Sequence, residues 1–179
     1  MKPILEYLNT KITNSKIKAT NDTIHQIIKD ELDRLGHDAD LNHIDVSEVT
    51  KMNSLFSCHD DDLGSTYKDL NPDISAWDVS KVEDMEWMFL GCEKFNCDIS
   101  CWDVGKVENM KWMFYDCENF NCDISSWYVS NVKDMSCMFF NCKKFNQDLS
   151  QWNIGKVKYH NQMFDDCHIK EEYKPKFKI

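Results

Sequence analysis

Asp73-Ile74-Ser75-Ala76-Trp77-Asp78-Val79, continued by Met88-Phe89-Leu90-Gly91-Cys92 and Phe95-Asn96, opens a pattern that returns every 25 residues. Aspartate recurs at Asp98, Asp123 and Asp148, followed by Ile99, Ile124 and Leu149. Tryptophan recurs at Trp102, Trp127 and Trp152, and valine at Val107, Val132 and Val157 after Val82. Met-Phe returns at 113–114, 138–139 and 163–164, and cysteine at Cys117, Cys142 and Cys167. A fixed period in this range marks stacked units, each burying its apolar side against the next. The expected fold is an α/β repeat solenoid of about five coils over residues 41–169. Each coil is expected to hold a short parallel strand near Asp98-Ile99-Ser100 or its equivalent, a turn, and a short helix after the recurring valine. Ser80 and Glu83 have capping-box spacing for that helix.

Both ends of the array need covers, because a terminal unit leaves its apolar edge open to water. Residues 1–40 are expected to form an N-terminal helical cap. Its surest part is a helix over 20–36, with Asn21 or Asp22 capping the first turn and Gly36 stopping the last. Ile24, Ile27, Ile28, Leu32 and Leu35 form its apolar stripe. A degenerate first coil follows, in which Leu41, Ile44, Val46, Val49, Met52, Leu55 and Phe56 align at an offset of 33 with Ile74 to Phe89. The extra residues imply an insertion near 59–70, a surface loop carrying Asp60-Asp61-Asp62. Calcium is the alternative reading of that triplet, although it lacks EF-hand spacing. In the last coil His160, Gln162, Asp165 and Asp166 replace apolar residues, as an exposed end requires. Residues 170–179 form a charged tail packed loosely over it.

The chain has 179 residues, 42% of them hydrophobic, with 6 Trp and 10 Phe, enough for a substantial core. Its net charge of −10 argues against nucleic acid as partner, since phosphate binding needs a basic face. Arg34 is the sole arginine, the residue type that grips phosphates in bidentate fashion. No apolar run approaches the roughly 18 residues of a membrane span, and the start at Met1 lacks the pattern of a secretory signal. A cytoplasmic or virion-associated location is therefore expected over export by a signal peptide. Nine cysteines are an odd number for a disulfide framework. Their columns (Cys92, Cys117, Cys142 and Cys167; Cys97 and Cys122) read as core packing, with bridging or structural metal as alternatives.

The string Phe120-Asn121-Cys122-Asp123-Ile124-Ser125-Ser126-Trp127, then Val129-Ser130-Asn131-Val132-Lys133-Asp134-Met135, resembles the BspA-like, mycoplasma-type surface-protein repeat. The resemblance covers about residues 41–167. It implies a leucine-rich-repeat-like module used for binding or adhesion rather than catalysis. Valines stand where an ordinary leucine-rich repeat carries its asparagine ladder, so no such ladder is expected.

Stacking sets Asp73, Asp98, Asp123 and Asp148 in one column of like charge, each pair repelling by roughly 1 kcal/mol in water. Hydrogen bonds from Ser75, Ser100, Ser125 and Ser150 or from turn amides are the expected remedy, with a row of cations as the alternative. On the expected helix, Met85, Met88 and Phe89 face inward, so Trp87 and Leu90 point out. The same two columns hold Trp112 and Tyr115, then Cys137 and Phe140, then Gln162 and Asp165. Trp87, Leu90, Trp112, Tyr115 and Phe140 are thus the candidate protein-binding residues, an aromatic stripe of the kind that anchors interfaces. The null is that another segment covers it. No cofactor, metal-protease or phosphate-loop motif is present, and no nucleophile–base pairing is suggested, so no catalytic role is expected. Two other readings stand beside the binding module. One is a self-assembling structural component of a virion or surface layer, hence a homo-oligomer. The other, weaker one is a polysaccharide-acting β-helix enzyme.

Overall fold

The computed structural model describes residues 16–58 and 67–177. The leader before residue 16, the Asp60-Asp61-Asp62 triplet with most of the expected insertion, and the last two residues lie outside the described residues. Strand β1 (Ile17–Lys18) pairs in parallel with β2 (Ile44–Asp45), and helix α1 (Ile24–Leu35) lies between them in sequence. A single 3₁₀ turn, Glu171–Tyr173, follows near the end.

The expected α/β solenoid, one strand and one helix per coil, is not what forms. Among the described residues there is one α-helix and one two-residue strand pair, and residues 73–167 are built of turns joined by isolated parallel bridges. These bridges run Lys51–Asp84, Asp84–Asn109, Asn109–Asp134 and Asp134–Tyr159, so the 25-residue period survives as hydrogen-bond register without α/β coils. The hydrogen bonds show why. In an α-helix the Phe114 amide would reach the Met110 carbonyl; here it donates to Met138 in the next unit at 3.0 Å. Met110, Trp112 and Asp116 likewise donate to Asp134, Ser136 and Phe140. The amides between them, of Met113, Tyr115 and Cys117, turn back to the carbonyls three residues earlier. Backbone donors thus alternate between local turns and the neighbouring unit, and the segment has no run of either bond long enough to be helix or strand. Positive φ at Trp87 (59°), Trp112 (55°) and Cys137 (53°) enforces the alternation.

The expected strand fails for a different reason. Asp98 Oδ1 accepts the Ser100 amide at 3.1 Å and its hydroxyl at 2.6 Å, closing a local turn where a ladder would need an extended chain. Asp73, Asp123 and Asp148 accept the amides of Ser75, Ser125 and Ser150 in the same way. Ser80 caps no helix; its amide and hydroxyl both go to Asp78.

This bonding holds the carboxyls of Asp45, Asp73, Asp78, Asp98, Asp123 and Asp148 below the usual carboxylate range, the serine hydroxyl being the largest cause and the serine amide the next. The folded pKa is the lower one, so this stabilisation is complete above the unfolded value of about 3.9 and fades as pH falls through the folded values. The urea midpoint is accordingly expected to drop as pH is lowered from about 5 to 3. Replacing the four column aspartates by asparagine, which still accepts from the serine amide, should flatten that acid limb. An acid limb of unchanged steepness in the quadruple variant would rule this origin out.

Inside, the columns stack ring on ring. Phe56, Phe89, Phe114, Phe139 and Phe164 follow one another at centroid separations of 5.4, 5.6, 5.7 and 5.7 Å. A second row, Phe95, Phe120 and Phe145, lies against it, with Phe114 and Phe120 only 4.0 Å apart. Each buried tryptophan donates its indole N–H to an earlier unit, as Trp102 does to Ile74 and Trp127 to Ile99. The thiols of Cys92, Cys117 and Cys142 are buried and donate at 3.0 Å to the carbonyls of Phe56, Phe89 and Phe114. Burial pushes these thiols up in pKa. All nine cysteines are free, and among the described residues no three His, Cys, Asp or Glu side chains converge on a metal position.

An asparagine ladder is present after all, at the end of each unit rather than in the valine column. Asn71 Oδ1 accepts the Asn96 amide, Asn96 that of Asn121, Asn121 that of Asn146, and Asn146 that of Lys170, at 2.7–3.1 Å. Each carboxamide satisfies a donor that the turn leaves without a local partner.

At the N-terminal end α1 presents Ile24, Ile28 and Leu32 to the core, while Leu35, expected in the stripe, is 43% exposed. Thr23, rather than Asn21 or Asp22, occupies the N-cap, with no side-chain cap bond. Asn21 instead ties the helix start to the first unit through the Thr50 amide at 2.9 Å. Gly36 ends the helix at φ 90°. Buried Glu31 accepts from Arg34 and from His43, joining α1 to the turn before β2. At the other end Tyr173 accepts the Leu149 amide at 2.8 Å and Phe177 stacks on His160 at 3.9 Å. No helix among the described residues is long and apolar enough to cross a membrane.

Candidate functional site

The alternating hydrogen bonds decide which side chains leave the core. Met85, Met88 and Phe89 are fully buried, whereas Trp87 is half-buried, and the same holds one unit on for Met110, Met113 and Phe114 against Trp112 and Tyr115. Trp87, Leu90, Trp112, Tyr115 and Phe140 line a single open groove of about 550 Å³. The outward direction expected from helical spacing is therefore met, though by a turn-built backbone. The stripe is less exposed than expected: Leu90 is 7% exposed and the four aromatic residues are half-buried.

Two ring stacks run along the groove. Trp87 and Trp112 lie 5.4 Å apart at 15°, and Tyr115 and Phe140 lie 4.7 Å apart at 4°. Lys111 Nζ sits 4.5 Å from the Trp112 ring and 5.9 Å from Trp87, and pairs with Glu86 at 3.2 Å. The ammonium is thus committed to its own surface. The Trp87 indole N–H is buried without a hydrogen-bond partner, a cost that a donor seldom bears in a closed core.

Both columns end in polar residues. Ser54 and Ser57 line the groove beside Trp87 and Leu90, and Cys137 and Gln162 continue the tryptophan column at the other end. Register places Asp165 after Phe140, since the Asn141 amide donates to its carbonyl. Asp116 and Asp166 lie close by: partial burial first, then the Asp116 carboxylate, with Asp166 among the weaker causes, pushes the Tyr115 hydroxyl up in pKa. Ser54 and Ser57 were missed as site residues. Their signal was the offset of 33, which sets them in the columns of Trp87 and Leu90.

Residues 61–176 match the family described as Mycoplasma protein of unknown function, DUF285. The match covers well over half of the chain, which belongs to that family. No curated protein and no solved structure matches it.

Proposed function

We propose that the chain is a non-catalytic protein-binding module whose contact surface is the groove of Trp87, Leu90, Trp112, Tyr115 and Phe140. The observation that carries this reading is the backbone beneath the tryptophans. Two columns adopt positive φ, the first at Ser54, Trp87, Trp112, Cys137 and Gln162, the second at Gly91, Asp116, Asn141 and Asp166. The second holds the residue types that tolerate this conformation. The first does not; a bulky side chain there costs about 1–3 kcal/mol. Tryptophan at two successive positions of that column points to a use on the groove side that outweighs the backbone preference. Large, rigid, partly exposed rings beside a buried unpaired indole N–H fit the role of anchors for a partner. The likeness of the repeat to BspA-like surface proteins agrees with this reading.

Panning a displayed peptide library against the reduced full chain tests it. Selected peptides are expected to lose binding on Trp112→Ala with Tyr115→Ala, and to keep it on Tyr128→Ala, which removes an aromatic side chain 63% exposed elsewhere. Near-UV circular dichroism should show both variants folded. Binders indifferent to the groove substitutions, or none at all, would overturn the proposal. Light scattering on the same samples separates a groove occupied by a second copy from one that is free.

A further inference from the structure

The groove is polar at both ends and the two ends differ. Hydroxyls of Ser54 and Ser57 flank the Trp87 end, while Asp116, Asp165 and Asp166 cluster around the far end beyond Tyr115 and Phe140. The one ammonium at the rings, Lys111, is paired with Glu86. Asp116 receives one hydrogen bond from Asn141 at 2.8 Å, which leaves its charge in place. The chain as a whole carries −10, so the far end sits in a negative field with no neighbouring cation among the described residues to offset it.

Size narrows the occupant further. Units stack at about 4.8 Å, so the four steps from Ser54 to Gln162 span roughly 19 Å, the length of about six extended residues. The Trp87–Trp112 and Tyr115–Phe140 rings lie face to face within their stacks, so the groove is lined mainly by their edges. A sugar ring, which binds on an open aromatic face, meets little such surface. Side chains that fill apolar slots between edges meet much more.

We propose that the groove receives an extended protein segment with apolar side chains at its centre and lysine or arginine at one end, the cation lying beside Asp116, Asp165 and Asp166. This rests on the groove being the binding surface. Arginine or lysine would lay its aliphatic stem along Tyr115 and Phe140 and carry its charge to the carboxylates.

Three synthetic peptides with one common apolar centre test it, ending in paired lysines, paired glutamines or paired glutamates. Calorimetric titration of the full chain at low salt should rank lysine above glutamine by about tenfold, since each exposed pair contributes up to about 1 kcal/mol. Glutamate should be weakest, and high salt should compress the series. Asp165→Asn with Asp166→Asn should bring the lysine peptide close to the glutamine one and leave the latter unchanged. Equal affinities that still vanish on Trp112→Ala would overturn the charge assignment and leave the groove as the binding surface. Binding insensitive to Trp112→Ala, or no binding by any peptide, would overturn both.

Discussion

Phe114→Ala is expected to destabilise the protein by about 3–5 kcal/mol, measured as the shift in urea-unfolding free energy under reducing conditions. Phe114 has no exposed surface and stands at the centre of the ring lattice. It stacks on Phe89 and Phe139 along its column, on Phe120 at 4.0 Å across the rows, and approaches Trp127 at 6.4 Å. Truncation removes a phenyl ring whose neighbours are pinned by inter-unit hydrogen bonds: the Phe89 amide to Met113 and the Phe114 amide to Met138, both at 3.0 Å. With the backbone held on both sides, the cavity cannot collapse, and the cost lies toward the top of the range for such truncations. Phe164→Ala is the comparison. That ring is half-buried in the last unit and has one phenylalanine neighbour, Phe139. Its loss should cost about half as much or less. Equal costs at the two positions would show that the lattice does not share its load as the geometry implies.

These columns were legible in the sequence because a period of 25 aligns like with like, whatever the backbone does between. Ile99, Trp102, Met110 and Phe114 are buried as their spacing required. So was the apolar face of α1, apart from Leu35. The local conformation was not legible. Met85, Met88 and Phe89 carry helical spacing, yet the same spacing arises when alternate amides turn back three residues and the rest cross to the next unit. Hydropathy reports which side chains go inward and is blind to which carbonyl an amide chooses. Positive φ at Trp87 and Trp112 left no trace, since tryptophan has no preference for it. In the sister column the trace was present in Gly91, Asp116, Asn141 and Asp166, and reading that column as turns would have excluded the helix. Asp98 before Ser100 likewise signalled a side-chain-closed turn rather than a strand. The groove residues survived the wrong backbone because their outward direction depends on the inward neighbours alone.

Gly91→Val is expected to cost about 3–4 kcal/mol, from two effects that separate experimentally. Gly91 has φ 76°, a region that a β-branched residue enters only with strain. A Cβ there would also meet Cys58 Cβ at 3.0 Å, a contact with a side-chain stem that has no freedom to swing away. Nor does the backbone have room to retreat, because the Gly91 amide donates to Tyr115 at 2.7 Å and the Cys58 amide to Leu90 at 2.8 Å. Gly91→Asn divides the two effects, since asparagine tolerates positive φ and occupies the equivalent place at Asn141 at φ 56°. Its cost therefore reports the Cys58 contact, and Cys58→Gly in the same background should recover part of it as a coupling of about 1 kcal/mol. Tolerance of valine to within about 0.5 kcal/mol, the level of an ordinary surface change, would show that the close approach is not a constraint on the fold. The position bears on function as well as stability. Leu90 and Ser57, each next to one of the two clashing residues, line the groove, so a side chain at 91 forces the first unit away from the second where Trp87 needs it. Peptide binding should then fall in Gly91→Asn even where the protein remains folded, and rise again when Cys58→Gly restores the space.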